Sequence, residues 1–166
     1  MDREWVRMMA RYNQWQHEGL TEVADGLPEE ALHEDRRAFF GSIMGTMSHL
    51  LWGDHIWMSR FDGGDPPLVG IPESSKYETD WSRYKERRVE TDLRILDWAE
   101  NGDLGDLDGV MTWYSGAAGQ EVSKPINLIY THFFNHQTHH RGQIHKMLTE
   151  EGLKPRDTDL FFMPEF

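Results

Sequence analysis

At 166 residues the chain is long enough for one domain around a single substantial core, and 38% hydrophobic and 12% aromatic residues argue against disorder. A formal charge of −12, with no Lys/Arg run to override it, disfavours nucleic acid as a partner, and the lack of cysteine excludes disulfides and thiolate metal sites. No basic-then-apolar leader opens the sequence and no apolar run is long enough to span a bilayer, so a cytoplasmic location and no membrane association are expected.

From Asp2 to about Val23, the residues Trp5, Met8, Met9, Tyr12, Trp15 or Gln16, Leu20 and Val23 recur at steps of three and four, which predicts an amphipathic helix capped by Asp2. Gly26 and Pro28 break it, and Leu27 to His33 reads as a short helical turn begun by the proline, with His33 at the surface. Ser42 caps a second helix running to about Phe61, where Asp62-Gly-Gly-Asp-Pro-Pro67 stops it. Gly45 and Gly53 sit four residues before and after His49, leaving space for a ligand or for a closely packed neighbour. His55 is rotated away from His49, toward solvent or an interface.

The stretch from Gly63 to about Tyr77, rich in Gly, Pro and Ser, predicts an irregular loop over one end of the bundle, able to act as a lid. A third helix is expected from about Thr79 to Glu100, with Trp81, Tyr84, Val89, Leu93, Leu96 and Trp98 or Ala99 on its apolar face and its charges in water. Between Leu107 and Val122, the strand formers Val110, Thr112, Trp113 and Tyr114 alternate with glycine-rich turns, which predicts a small hairpin. Ser123 as cap and Pro125 in the first turn open the last helix, and Gly152 ends it. In the tail, Leu160, Phe161 and Phe162 are expected to pack onto the bundle or onto a second subunit.

The last helix carries His132, His136, His139, His140 and His145 in a segment with the apolar spacing of a buried helix. His132, His136 and His140 drift slowly along one face with Ile129 and Met147, and His139 and Gln143 fall beside them. This face is expected to point toward the core, with Arg141 and His145 nearly opposite, toward solvent or a partner. A lone buried histidine is ordinarily satisfied by hydrogen bonds. A cluster is better explained by a cation, because a neutral imidazole can bind metal with one nitrogen and donate a hydrogen bond from the other. His136 and His140, at i and i+4, are the best pair.

Two segments, Phe39-Phe-Gly-Ser-Ile-Met-Gly-Thr-Met-Ser-His-Leu-Leu-Trp-Gly-Asp-His-Ile-Trp57 and His132-Phe-Phe-Asn-His-Gln-Thr-His-His-Arg-Gly-Gln-Ile144, resemble the DinB/YfiT-like metalloproteins. The resemblance covers nearly the whole chain and implies an all-α four-helix bundle with a long crossover, usually a homodimer. It implies one divalent metal held by a histidine of the second helix and an H-x3-H pair of the fourth, here His49, His136 and His140. Three neutral ligands leave coordination positions open, as in a reactive site, with zinc or nickel the first choice and manganese or iron also compatible.

His136-Gln-Thr-His-His140 has the spacing of the zinc-protease motif but carries Gln137 where that motif has its general base, so proteolysis is disfavoured. Proton transfer would fall to another group. Asp54, His132 and His139 are the candidates, and these three with Gln143 are also candidates for supporting the ligands. Relatives of this fold that act with a low-molecular-weight thiol suggest a metal-dependent thiol transferase or hydrolase acting on a small molecule. The alternative is a non-catalytic metal-binding or stress-response protein. DNA binding, prompted only by the family name, is opposed by the charge.

Overall fold

The computed structural model describes residues 1–164; Glu165 and Phe166, the end of the predicted tail, lie outside them. Four long helices build the fold: α1 (Arg3–Ala24), α3 (Ile43–Phe61), α4 (Trp81–Asn101) and α5 (Ile126–Glu150), with a short α2 (Glu29–His33) between the first two. Strands β1 (Val110–Ser115) and β2 (Gln120–Pro125) pair antiparallel as the hairpin between α4 and α5. Each of α1 and α3 packs against both α4 and α5, so the sequence neighbours α1/α3 and α4/α5 sit diagonally and their connections cross the ends of a four-helix bundle. Among the described residues no helix is long and apolar enough to cross a membrane.

Helix starts follow side-chain chemistry. Asp2 accepts from the Trp5 amide, Ser42 from Gly45 and Asp80 from Arg83, each satisfying an amide the helix leaves orphaned and contributing about 1 kcal/mol. The last helix starts differently from expectation. Pro125 takes the cap position with no side-chain acceptor, while Ser123 lies in β2 and pairs its hydroxyl with Thr112.

The core is two hydrophobic clusters in the same four helices. One contains Leu20, Leu51, Tyr84 and Ile144, the other Val6, Met58, Ile95 and Phe133. Between them along every helix lies a layer of buried polar residues: Asn13 and His17 of α1, Asp54 of α3, Arg88 and Asp92 of α4, Gln137 and Arg141 of α5. Arg88 donates to Asp54 at 2.6 Å and makes a two-point bond to Asp92 at 2.9 and 3.1 Å. His17 Nδ1 meets Asp92 at 2.9 Å, and Gln137 donates to Asp54 at 2.6 Å. Arg141 donates to Asn13 and lies over the Tyr12 ring.

This layer corrects three expectations. The charges of α4 are not all in water: Arg88 and Asp92 occupy the inward stripe with Tyr84 and Ile95, while Val89 and Leu93, one residue further round, are exposed. Arg141 is buried. Phe134, which would face outward if the histidine face were the core, is 1% exposed and packs edge-on against Trp5. The cause is common to the last two. The stripe of α5 facing the bundle axis is Phe133, Gln137, Ile144 and Leu148, roughly 90° round the helix from the histidine face.

Two further expectations change. His55 is held between the Tyr77 hydroxyl at 2.7 Å and the Thr91 hydroxyl at 2.6 Å, rather than turned to solvent. In the tail, the contacts to the bundle come from Arg156, Asp157 and Thr158, which meet Trp15, Gln16 and Tyr12, while Phe161 and Phe162 are exposed on this chain.

Candidate metal centre

His49 of α3 and His136 and His140 of α5 converge at the interface of these two helices. The Nε2 atoms of His49 and His136 are 3.3 Å apart and those of His140 and His136 3.1 Å apart. One ring nitrogen from each residue lies within 4.8 Å of the other two. The i, i+4 spacing aligns the α5 pair, and Gly53 lets it approach α3: a β-carbon at 53 would stand 3.1 Å from His136 Cε1. Gly45 is filled from the other side, because a β-carbon there would overlap the Phe40 carbonyl oxygen. Both glycines thus serve close packing. Gly41, at φ +78°, turns the preceding segment back so that Phe40 stacks on His49 with ring centroids 3.8 Å apart.

Proton positions follow from the outer partners. The Ser74 hydroxyl donates to the Ile71 carbonyl at 2.7 Å, so toward His49 Nδ1, 2.8 Å away, it accepts. Gln143 Oε1 accepts from His140 Nδ1 at 2.8 Å. With Nδ1 protonated on both rings, the Nε2 atoms of neutral His49 and His140 present bare lone pairs, and both face His136. Burial, reinforced by His140, lowers the His49 pKa to about 4. Burial, then the neighbouring imidazoles, lowers that of His136 to about 3, and burial lowers that of His140. Three close nitrogens with at most one proton among them lack the positive charge that would hold them together. Nitrogens about 2.0–2.1 Å from one tetrahedral zinc would lie about 3.3 Å apart, close to the spacing here, so the three residues fit a divalent cation.

The centre lies in the wall of an open cavity of about 950 Å³. Its sides are aromatic, from Phe40 and Trp52 near the histidines to Trp57 and Trp113 further along, and the hairpin residues Ser115, Gly116 and Ala117 border it. His132 and His139 both line the cavity; His132 stands edge-on to Trp57, and burial lowers its pKa. Gln143 supports His140 directly and also contacts His139 Nε2 at 3.2 Å. Asp54 belongs to the polar layer, its oxygens bonded to Arg88 and Gln137, and is not on the cavity wall. His145 is not part of the cluster.

Sequence reasoning missed Ser74. The stretch expected to be an irregular lid contains a 3-10 helix (Ile71–Lys76) fastened to α3. The Ser48 hydroxyl donates to the Ser74 carbonyl and accepts from the Glu78 amide, and the Trp52 indole donates to the Val69 carbonyl. Ser48 precedes His49, so the residue that fixes this segment adjoins the histidine the segment orients. The only signal in the sequence was Ser74-Ser75 after Pro72 in a polar stretch, which is too common to single out.

Residues 1–165 match the family model of the DinB family. The chain belongs to the DinB family. It is also similar to Protein DinB of Bacillus subtilis (strain 168), at 27% identity over 154 residues covering 89% of this chain and 87% of that one. In this DinB-family chain the three converging histidines come from the two segments, 39–57 and 132–144, that carry the resemblance in the sequence.

Proposed function

We propose that the three histidines bind one divalent cation, zinc or nickel by preference, and that the protein is a metal-dependent enzyme acting on a small molecule by transfer to or from a low-molecular-weight thiol, or by hydrolysis. The observation that carries this reading is the pair of lone pairs, fixed by Ser74 and Gln143, aimed into a shared space on the wall of an open cavity. A cation held by neutral ligands supplies nearly uncompensated positive charge, which favours ionisation of a water or thiol that reaches it. The protein's own residues contribute the rest. Phe40 and Trp52 exclude water from one side of His49, and His132 and His139 stand on the cavity wall where either can accept or return a proton. Gln137, turned to Asp54, takes no part in proton transfer.

A non-catalytic metal-binding role is the second reading, and one observation favours it: among the described residues the cavity wall carries no Asp or Glu, the commonest bases after histidine. Titration of cobalt-substituted protein with low-molecular-weight thiols separates the two. A change in the cobalt spectrum with thiol or with pH is expected for an enzyme; invariance to every thiol and to pH would give the non-catalytic reading precedence. We also propose a homodimer, on the exposed Phe39, Leu68, Phe161 and Phe162.

A further inference from the structure

Arg60 lies eleven residues after His49 on α3, about 16 Å along the axis and nearly on the same face, and it lines the same cavity. Its guanidinium carbon is 4.4 Å from the centre of the Trp57 ring and 5.6 Å from that of Trp113, so indoles of α3 and of the hairpin flank it. Arg88 and Arg94 meet the carboxylates of Asp54 and Asp62, but among the described residues no carboxylate, carbonyl or hydroxyl meets Arg60. The chain has 29 acidic residues, yet none of those among the described residues lines this cavity. A guanidinium flanked by rings keeps its N–H groups in its own plane, where they match the two oxygens of a carboxylate.

We propose that Arg60 is an anion-binding subsite, and that the cavity takes an elongated, largely apolar molecule with a carboxylate at the end remote from its reacting group. This deepens the small-molecule reading of the histidine centre: the carboxylate pairs with Arg60, the apolar body lies along Trp57 and Trp113, and the other end reaches the histidines. The flanking rings and the lack of an acid among the described residues of the cavity wall favour negative charge at the subsite, without Arg60 having to break an ion pair first.

Calorimetric titration of metal-free protein with 4-phenylbutanoate and with 4-phenylbutan-1-ol tests the subsite without a metal that could itself bind the carboxylate. The acid is expected to bind about tenfold tighter than the alcohol, as one charge-assisted contact allows. Arg60→Met should abolish that preference while leaving the alcohol's affinity unchanged, and Arg60→Lys should keep part of it. Equal binding of acid and alcohol to the wild-type protein overturns the proposal without any variant, as does an undiminished preference in Arg60→Met or, if that variant fails to fold, in Arg60→Gln. Metal analysis of the same preparations keeps the two readings apart. A carboxylate preference in a protein that takes up no metal upholds Arg60 and removes the enzyme; metal uptake without the preference does the reverse.

Discussion

Helices α3 and α5 each contribute to two polar clusters that follow opposite rules. His136 and Gln137 are consecutive, yet one joins the histidine centre and the other the layer between the two halves of the core. In the layer, donors meet acceptors and charges cancel: Arg88 and Arg141 against Asp54 and Asp92, with His17 kept uncharged because burial lowers its pKa. Asn13 Nδ2, His17 Nε2 and Gln137 Oε1 lack partners, but these atoms are neutral. In the histidine centre, the Nε2 lone pairs of His49 and His140 both face His136 Nε2 across 3.1 to 3.3 Å, and that one atom has at most one proton to share between them. A closed network explains itself as structure. A set of converging lone pairs is one that a cation could complete, and this is the difference between the two polar clusters of the bundle on which the proposed function rests.

Removing the cation from the layer should have the largest effect on stability. Arg88→Met leaves Asp54 and Asp92 buried without their counter-charge, and a loss of about 3–5 kcal/mol is expected in urea denaturation. A loss below about 1 kcal/mol would show that water reaches the layer and that it is not closed.

Acid should act on both clusters and on His55 beside them. His17, His49, His55 and His136 all have folded pKa values below the ordinary 6.5, with burial the leading cause. Below pH 6.5 the unfolded chain therefore binds more protons than the folded one. Stability of the metal-free protein is full above that pH and falls as pH drops toward the folded values, about 4 for His49 and about 3 for His55 and His136. The slope has an upper limit of about 1.4 kcal/mol per pH unit for each histidine, less for half-buried His55 and His136 because solvent screens them. Constant stability between pH 7 and 5 would contradict this.

Ser74→Ala should separate the clusters most cleanly. It removes the acceptor for His49 Nδ1 and leaves the layer intact, so about 1 kcal/mol of stability and about 10–100-fold of metal affinity should be lost. Equal metal affinity in wild type and variant, measured by chelator competition, would mean that Ser74 does not orient the ligand.

Much of this architecture was legible in the sequence for local reasons. Asp2 and Ser42 cap the helices they were expected to cap, the hairpin is where Trp113 and its neighbours placed it, and the spacing of His136 and His140 puts them together on one face. What was hidden depends on pairing across the chain. Periodicity assigns a charged residue to water, so it could not place Arg88 inside, where its charge is cancelled by Asp54, 34 residues away. The same habit took the histidine face of α5 for the core face, which turned Phe134 and Arg141 outward. Ser74 was hidden because its role requires Ser48 to fix the intervening segment.

Metal content tests the central claim most directly. Wild-type protein purified without an affinity tag, saturated with zinc and desalted, is expected to hold one ion per chain. His49→Ala, His136→Ala and His140→Ala should each lose most of it while retaining the helical circular-dichroism spectrum, and His145→Ala should keep it. Stoichiometric zinc in His136→Ala together with its loss in His145→Ala would contradict the account, because the ion would then lie on the other side of α5 from the converging lone pairs.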